Sequence, residues 1–205
     1  KKLTEHKEYE IVILDLDTSK IRKRLKPYLD KVTAYFGSIH DETLVRKALQ
    51  GCDAVIHTAA IIPPLADQNP ELTRKVNYFG TVTLVKVLKE VCPKAFFLYT
   101  SSVSVYGDRT ENPWISVHDP LIPSEGDYYA LTKIEAELFI RESNIHYTIF
   151  RLTGIMGHPK PDPLMFHMPL QTKMEIATTW DTANALVNAL EHQKKLVGRT
   201  FNLGG

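Results

Sequence analysis

Short apolar runs alternate along this chain with stretches of helical periodicity. Glu10–Asp15 is nearly continuous in β-branched and other apolar residues, the pattern of a strand buried on both faces of a parallel sheet. Further strands are predicted at Lys31–Phe36, ended by Gly37, and at Asp53–His57, which runs into Thr58-Ala59-Ala60. Ala95–Tyr99 follows, ending in Thr100-Ser101-Ser102, then His146–Arg151 and finally Arg199–Leu203. Helices are predicted between them. Ser19–Leu25 is closed by Pro27, and Asp41–Leu49 has an acidic start and stops at Gly51. A long helix opens at Pro70, where a first-turn proline is tolerated, and ends near Val91. Two more span Asp127–Ser143 and Thr179–Glu191, and Lys1–His6 reads as the tail of a helix.

Strand–helix alternation of this kind predicts an α/β fold, a doubly wound parallel sheet with right-handed crossovers. In such sheets ligands sit outside the carboxyl ends of the strands. Polar residues fall just after strands at Asp15, Ser38, Thr58, Ser102 and Thr153, although each singly also suits a turn or a helix cap. The polar, proline-bearing loop after Ser102 is about twenty residues long, and loops of that length are commonly functional. His158–Thr172 is proline-rich and irregular.

The candidate chemistry centres on Tyr129 and Lys133, four residues apart on a predicted helix and therefore on one face. A free phenol titrates near ~10, and an adjacent ammonium is expected to lower that value and fit the phenol for proton exchange with a hydroxyl. Tyr128 is the competitor, but the residue four positions on is the uncharged Thr132. Alone, Tyr-x-x-x-Lys more often describes a core-edge aromatic beside a solvated lysine, and the rest of the chain must carry the catalytic reading.

Bulk properties narrow the field. With 205 residues, 43% apolar and 24% charged, the chain is large enough for one proper core. A formal charge of +1 gives no electrostatic case for nucleic acid or an anionic membrane. No apolar run reaches the ~20 residues that span a bilayer, and no secretory leader is expected. Cys52 and Cys92 make no disulfide framework and predict buried thiols in a reducing, cytoplasmic compartment. His158 and His167 bracket the irregular stretch without a third ligand, so no metal site is expected, and His167 or Met168 is a candidate substrate contact.

Several segments, in order, resemble the extended short-chain dehydrogenase/reductase family, the NAD-dependent epimerases and dehydratases. They are Val12–Asp15, Asp53–Ala60, Val76-Asn77-Tyr78-Phe79-Gly80-Thr81, Tyr99–Gly107, Tyr129-x-x-x-Lys133 and Arg199–Gly205. The resemblance implies a Rossmann-like fold with 1–157 as the NAD-binding domain, 158–178 as a short substrate-lobe segment and 179–205 completing the core. It implies Ser102 as the hydroxyl that orients substrate, Tyr129 as acid/base, Lys133 as its support and holder of the nicotinamide ribose, and Asn77 as the residue that positions the lysine. Ser101 is read as turn chemistry, and Asn77 suits a packed helix as well. Around the cofactor the resemblance places Asp15, Ser38, Ile39, Thr58, Ala59, Ala60, Thr100, Leu152 and Thr153 together with Tyr129 and Lys133.

A carboxylate at Asp15, reinforced by Asp17, would accept ribose hydroxyls and repel a 2′-phosphate, which predicts NAD over NADP. The implied substrate is a nucleotide sugar undergoing epimerisation or dehydration. The alternatives are a simple alcohol or carbonyl substrate, and a dinucleotide-sensing module without turnover. A homodimer is expected through the two long helices, with Val82, Val85, Leu88, Ile134, Leu138 and Phe139 as the candidate patch.

Two departures stand out. The family's glycine-rich pyrophosphate loop occurs nowhere in these 205 residues, so one strand–loop–helix unit is expected to precede Lys1. That strand would lie between the Ile11 and Val55 strands and would leave them about 10 Å apart, too far to bond. After Arg151 the chain reads Leu152-Thr153-Gly154 where relatives often carry proline, and it stops at Gly205, so the substrate lobe is expected to be small and truncated.

Overall fold

The computed structural model describes residues 1–157, 171 and 174–204. His158, His167 and Met168, with the expectations attached to them, lie outside this range, as does most of the 158–178 segment.

All strand pairs among the described residues are parallel. The central sheet has four strands in the order β3 (Ala54–His57), β4 (Phe96–Ser102), β5 (His146–Leu152) and β8 (Arg199–Leu203). A separate two-stranded sheet pairs β1 (Val12–Asp15) with β2 (Thr33–Phe36). No ladder joins β1 to β3, in line with the gap anticipated between them. The consequence for burial differs from the prediction. Val12 is 40% exposed and Asp15 is exposed, so β1 is not buried on both faces. A strand paired along one edge only packs fewer neighbours than an inner strand does.

The alternation of strand and helix holds. α1 (Ser19–Leu25) is capped by Thr18, and α2 (Glu42–Leu49) by Asp41, whose side chain accepts from Leu44 N at 3.0 Å. The predicted helix from Pro70 is real but interrupted. α4 (Pro70–Arg74) runs through a π-helical turn, Lys75–Phe79, into α5 (Gly80–Val91). α6 (Tyr128–Glu142) and α7 (Thr179–Glu191) occupy their predicted spans. Short elements escaped prediction: α3 (Leu65–Gln68), α8 (Gln193–Leu196) and the pair β6 (Gly154–Met156) and β7 (Ile176–Thr178). Three or four residues are too few to establish a period. The predicted helix tail at the start is a single 3-10 turn, Leu3–Glu5.

The core fills both faces of the central sheet. Val45, Leu49, Leu84, Val85 and Leu88 pack with Phe97, Tyr99, Ala136, Ile140 and Ile149 on one face. Phe96, Leu98, Phe150 and Ala189 form the other. Val85 and Leu88 are therefore core residues, which removes them from the outward patch expected of them. Cys52 and Cys92 are free thiols, Cys92 buried and Cys52 partly so, and each donates to a carbonyl of α2.

Candidate active site

Parallel register brings the predicted polar residues to one edge. Thr100 is opposite Phe150, Ser102 opposite Leu152, and Leu152 opposite Leu203. His57 lies opposite Tyr99, so Thr58 leaves β3 level with Thr100. On the separate sheet Asp15 ends β1 opposite Phe36.

Ser102 closes β4 and caps the 3-10 turn Val103–Tyr106, its Oγ accepting from Ser104 N (3.2 Å) and Ser104 Oγ (3.0 Å). The next residue past that turn, Gly107, has φ 69° and ψ −152°, a conformation that only glycine adopts without strain. A Cβ there would come within 2.1 Å of Ile122 O, so glycine also permits the loop after β4 to fold back on the turn.

α6 starts at Tyr128 because Asp127 caps it, accepting from Ala130 N at 2.8 Å. This start turns Tyr128 outward, 42% exposed, and Tyr129 inward. The competition between the two tyrosines is thereby resolved. The Ser102 hydroxyl lies close enough to the Tyr129 phenol to draw its pKa down, yet burial outweighs it and, with Asp127, pushes the phenol up to about 12. This reverses the predicted effect of the lysine. The Lys133 ammonium stands 5.6 Å from the Tyr129 ring centroid, and Tyr129 remains a protonated acid at neutral pH.

Lys133 is 2% exposed, and its Nζ donates to Thr100 O at 2.7 Å, with the Tyr99 ring 4.8 Å away. Burial pulls its pKa down to about 7, opposed by the Glu137 carboxylate. Neither Glu137 nor its partner Arg151 figured among the predicted site residues. The i, i+4 spacing of Glu137 from Lys133 was the available signal, but most carboxylates on an amphipathic helix face solvent.

Asn77 is buried in the π turn, but its bonds differ from those expected. Its Oδ1 accepts from Ile61 N (2.7 Å), and its Nδ2 donates to Ile61 O (2.9 Å) and to Thr132 Oγ1 (3.1 Å). It ties the turn after Thr58-Ala59-Ala60 to the residue before Lys133. π turns of this kind concentrate at functional sites. One helical turn on, Thr81 donates to Asn77 O (2.7 Å), so its oxygen must accept from His57 Nε2 (2.8 Å). His57 is thus a buried neutral donor, its pKa pulled down to about 3 by burial and then by Lys133.

The remaining predicted cofactor residues divide. Asp15, Ser38, Thr58 and Ala59 are exposed and Ala60 partly so. Asp15 Oδ1 accepts from Leu16 N (2.8 Å), and Ser38 Oγ accepts from His40 N (3.1 Å). Ile39 sends its side chain into the core against Gly80, where a Cβ would lie 2.7 Å from Ile39 Cγ2. Leu152 packs in the second core cluster, and the buried Thr153 donates to Leu203 O (3.3 Å). Thr100 serves through its backbone carbonyl, while its hydroxyl donates to His57 O (3.1 Å). Arg22, the nearest helix cation to Asp15 in sequence apart from Lys20, is held by Asp17 through bonds of 2.6 and 3.0 Å and lies over the Phe36 ring. Among the described residues no cluster of His, Cys, Asp and Glu has the makings of a metal site.

Comparison with known proteins matches this arrangement to one family. The family model described as "NAD dependent epimerase/dehydratase family" covers residues 1–204. Monkeypox virus 3 beta-hydroxysteroid dehydrogenase/Delta 5-->4-isomerase is 32% identical over 130 residues, 58% of this chain and 37% of that protein. Bos taurus sterol-4-alpha-carboxylate 3-dehydrogenase, decarboxylating, is 30% identical over 152 residues, 71% of this chain and 42% of the relative. The matches thus span well under half the length of these curated relatives. In fold, the UDP-Glc/GlcNAc 4-epimerase of Campylobacter jejuni superposes with a TM-score of 0.79 at 20% identity, over 99% of this chain and 73% of its own. The protein belongs to the NAD-dependent epimerase/dehydratase family, the extended short-chain dehydrogenase/reductase type.

Proposed function

We propose that this protein is an NAD-dependent oxidoreductase that interconverts a carbinol and a carbonyl. The observation that carries this reading is the convergence of the Ser102 hydroxyl, the Tyr129 phenol and the buried Lys133 ammonium at the carboxyl edge of one sheet. A bound nicotinamide supplies or accepts the hydride. Tyr129, protonated across the neutral range, donates its proton to the carbonyl oxygen in the reductive direction and recovers it from the alcohol in the other. Ser102 orients that oxygen. Lys133 places a cation beneath the phenol, which stabilises the charge that develops on it when its proton leaves.

The residues present fit a dinucleotide without a 2′-phosphate. Asp15 commits one oxygen to Leu16 N and keeps the other for a ribose hydroxyl, and the Asp17–Arg22 pair occupies the nearby cation that a 2′-phosphate would need. Lys133 and the small-residue turn Thr58-Ala59-Ala60 complete the set. We read the substrate as a nucleotide sugar, in keeping with the family and the 4-epimerase fold. A second reading is a hydroxyl on an apolar ring system, supported by the two steroid-metabolising relatives and by exposed Ile155 on β6, Ile176 on β7 and Met174 just before β7. NADH production separates them, since an epimerase returns its hydride each cycle while a 3-hydroxysteroid dehydrogenase releases reduced cofactor.

Tyr129→Phe is the direct test. It removes the exchangeable proton and should lower turnover by ~10²–10⁴ while NAD(H) affinity, read by fluorescence titration, stays within about threefold. An unchanged rate discards the mechanism.

A homodimer is part of the same reading. Leu131, Leu138 and Tyr128 of α6, with Leu72 and Phe79 from α4 and the π turn, remain exposed in place of Val85 and Leu88. Tyr128, Leu131 and Phe79 line a cleft of about 520 Å³ together with Arg74 and Glu135, which pair at 3.0 Å.

A further inference from the structure

Two cations are buried near one another in the charge pattern of this fold, and only one carboxylate is buried among the described residues. Lys133 and Arg151 are 2% and 3% exposed, and Glu137 is 0% exposed. Arg151 takes both carboxylate oxygens, Nε to Oε1 at 3.0 Å and Nη2 to Oε2 at 2.7 Å. Its remaining nitrogen donates to Tyr106 Oη (2.6 Å) and Val117 O (3.2 Å), and Tyr106 donates on to Asn202 Oδ1 (2.7 Å). Arg141, half outside, adds a bond to Glu137 Oε2 at 3.2 Å. The carboxylate is thus fixed in place by two arginines, Arg151 of β5 and Arg141 of α6. Lys133, one helical turn earlier on the same face of α6, bonds only a neutral backbone carbonyl. An isolated buried ammonium is costly and ordinarily sheds its proton.

We propose that Glu137 is a positioning residue for the site: locked by Arg151 and Arg141, it supplies at a distance the countercharge that keeps the Lys133 ammonium protonated beneath Tyr129. The proposal rests on the catalytic reading above for its purpose, though not for its test. Among the described residues no other carboxylate is buried on α6 or on the elements packed against it; Asp127 caps the start of α6 through Ala130 N, and from β5 comes Arg151, itself a cation. From β4 come the Tyr99 ring and the Thr100 carbonyl, and from β3 His57, which is neutral. From α6 come Tyr129, a protonated phenol, and Glu137. On the other elements packed against α6, Tyr106 and Asn77 are uncharged, and Asp67, Glu71, Arg74, Lys75, Lys86, Lys89 and Glu90 are all exposed. Burial alone would neutralise the Glu137 carboxyl, but the guanidinium groups of Arg151 and Arg141 hold it ionised.

The test is a pH titration of the protein labelled with 13C at lysine Cε, the Lys133 signal being the one missing from Lys133→Met. The wild-type midpoint is expected near 7. Glu137→Gln, which keeps shape and a hydrogen bond to Arg151, should lower it by about one unit or more, and Glu137→Asp should restore it. Glu137→Gln leaves Arg151 uncompensated, so a second arm compares Glu137→Leu/Arg151→Met with Arg151→Met alone, where the added loss of the carboxylate should again lower the midpoint. An unmoved midpoint in Glu137→Gln, or no drop between Arg151→Met and the double variant, overturns the proposal. So does a wild-type midpoint already at the roughly 5–6 of uncompensated buried lysines. Neither substrate nor cofactor is needed, so failure of the catalytic reading leaves this result standing, and the converse also holds.

Discussion

At the scale of single residues, this protein concentrates its ionisable cost in a few buried groups, and their pKa values are statements about stability as well as chemistry. His57 is the clearest. Its unfolded pKa is near 6.5 and its folded value about 3, so between those limits the unfolded chain binds the extra proton. The stabilisation is therefore complete above pH ~6.5 and is lost as the pH falls toward 3, on the order of 5 kcal/mol in total. Urea unfolding at a series of pH values should show this slope, and His57→Gln, which keeps the bond to Thr81, should flatten it. Identical slopes in the two proteins would refute the burial of a neutral imidazole. Tyr129 and Lys133 were legible as a pair from spacing alone. The direction of the Tyr129 shift was not, because spacing reports proximity and says nothing of desolvation, which here outweighs the neighbouring charge.

At the scale of elements, the site is built from ends and junctions. The Asp127 cap decides which of two tyrosines faces Ser102, and the π turn of Lys75–Phe79 aims Asn77 at Ile61 and Thr132. The turn after β4 depends on Gly107, whose backbone no other residue adopts cheaply and whose missing Cβ leaves room for Ile122 O. Gly107→Ala should destabilise the protein by about 2 kcal/mol or more in denaturant unfolding. It should also shift Tyr106, and with it the Arg151 network. Wild-type stability in that variant would show that the loop after β4 tolerates displacement. The strand ends were readable in advance, since apolar runs and the polar residues that close them are local signals. The π turn was not, because a one-residue change in helical register leaves the apolar pattern almost intact.

At the scale of the whole molecule, the arrangement of layers decides which apolar residues are left over for a partner. The central sheet claims Val85 and Leu88 for its core and leaves Leu138 53% exposed on the outer face of α6. If that face pairs two copies, Leu138→Lys should convert dimer to monomer in sedimentation or light scattering at micromolar concentration, with little change in thermal stability at the subunit level. A monomeric wild type would remove the dimer altogether. No helix among the described residues is long and apolar enough to cross a membrane.

The sequence by itself determined the alternating parallel α/β architecture, the polar edge where the strands end, the Tyr129–Lys133 pair and the family. All of these follow from periodicity, chain punctuation and short spacings, which act over a few residues. Only the tertiary structure decided that β1 is half open, that Val85 and Leu88 face inward, and that Arg151, Glu137, Tyr106 and Asn202 meet beneath the site. Those outcomes depend on contacts between residues distant in sequence and on the dielectric that burial creates around them. Neither is written in any local stretch of the chain.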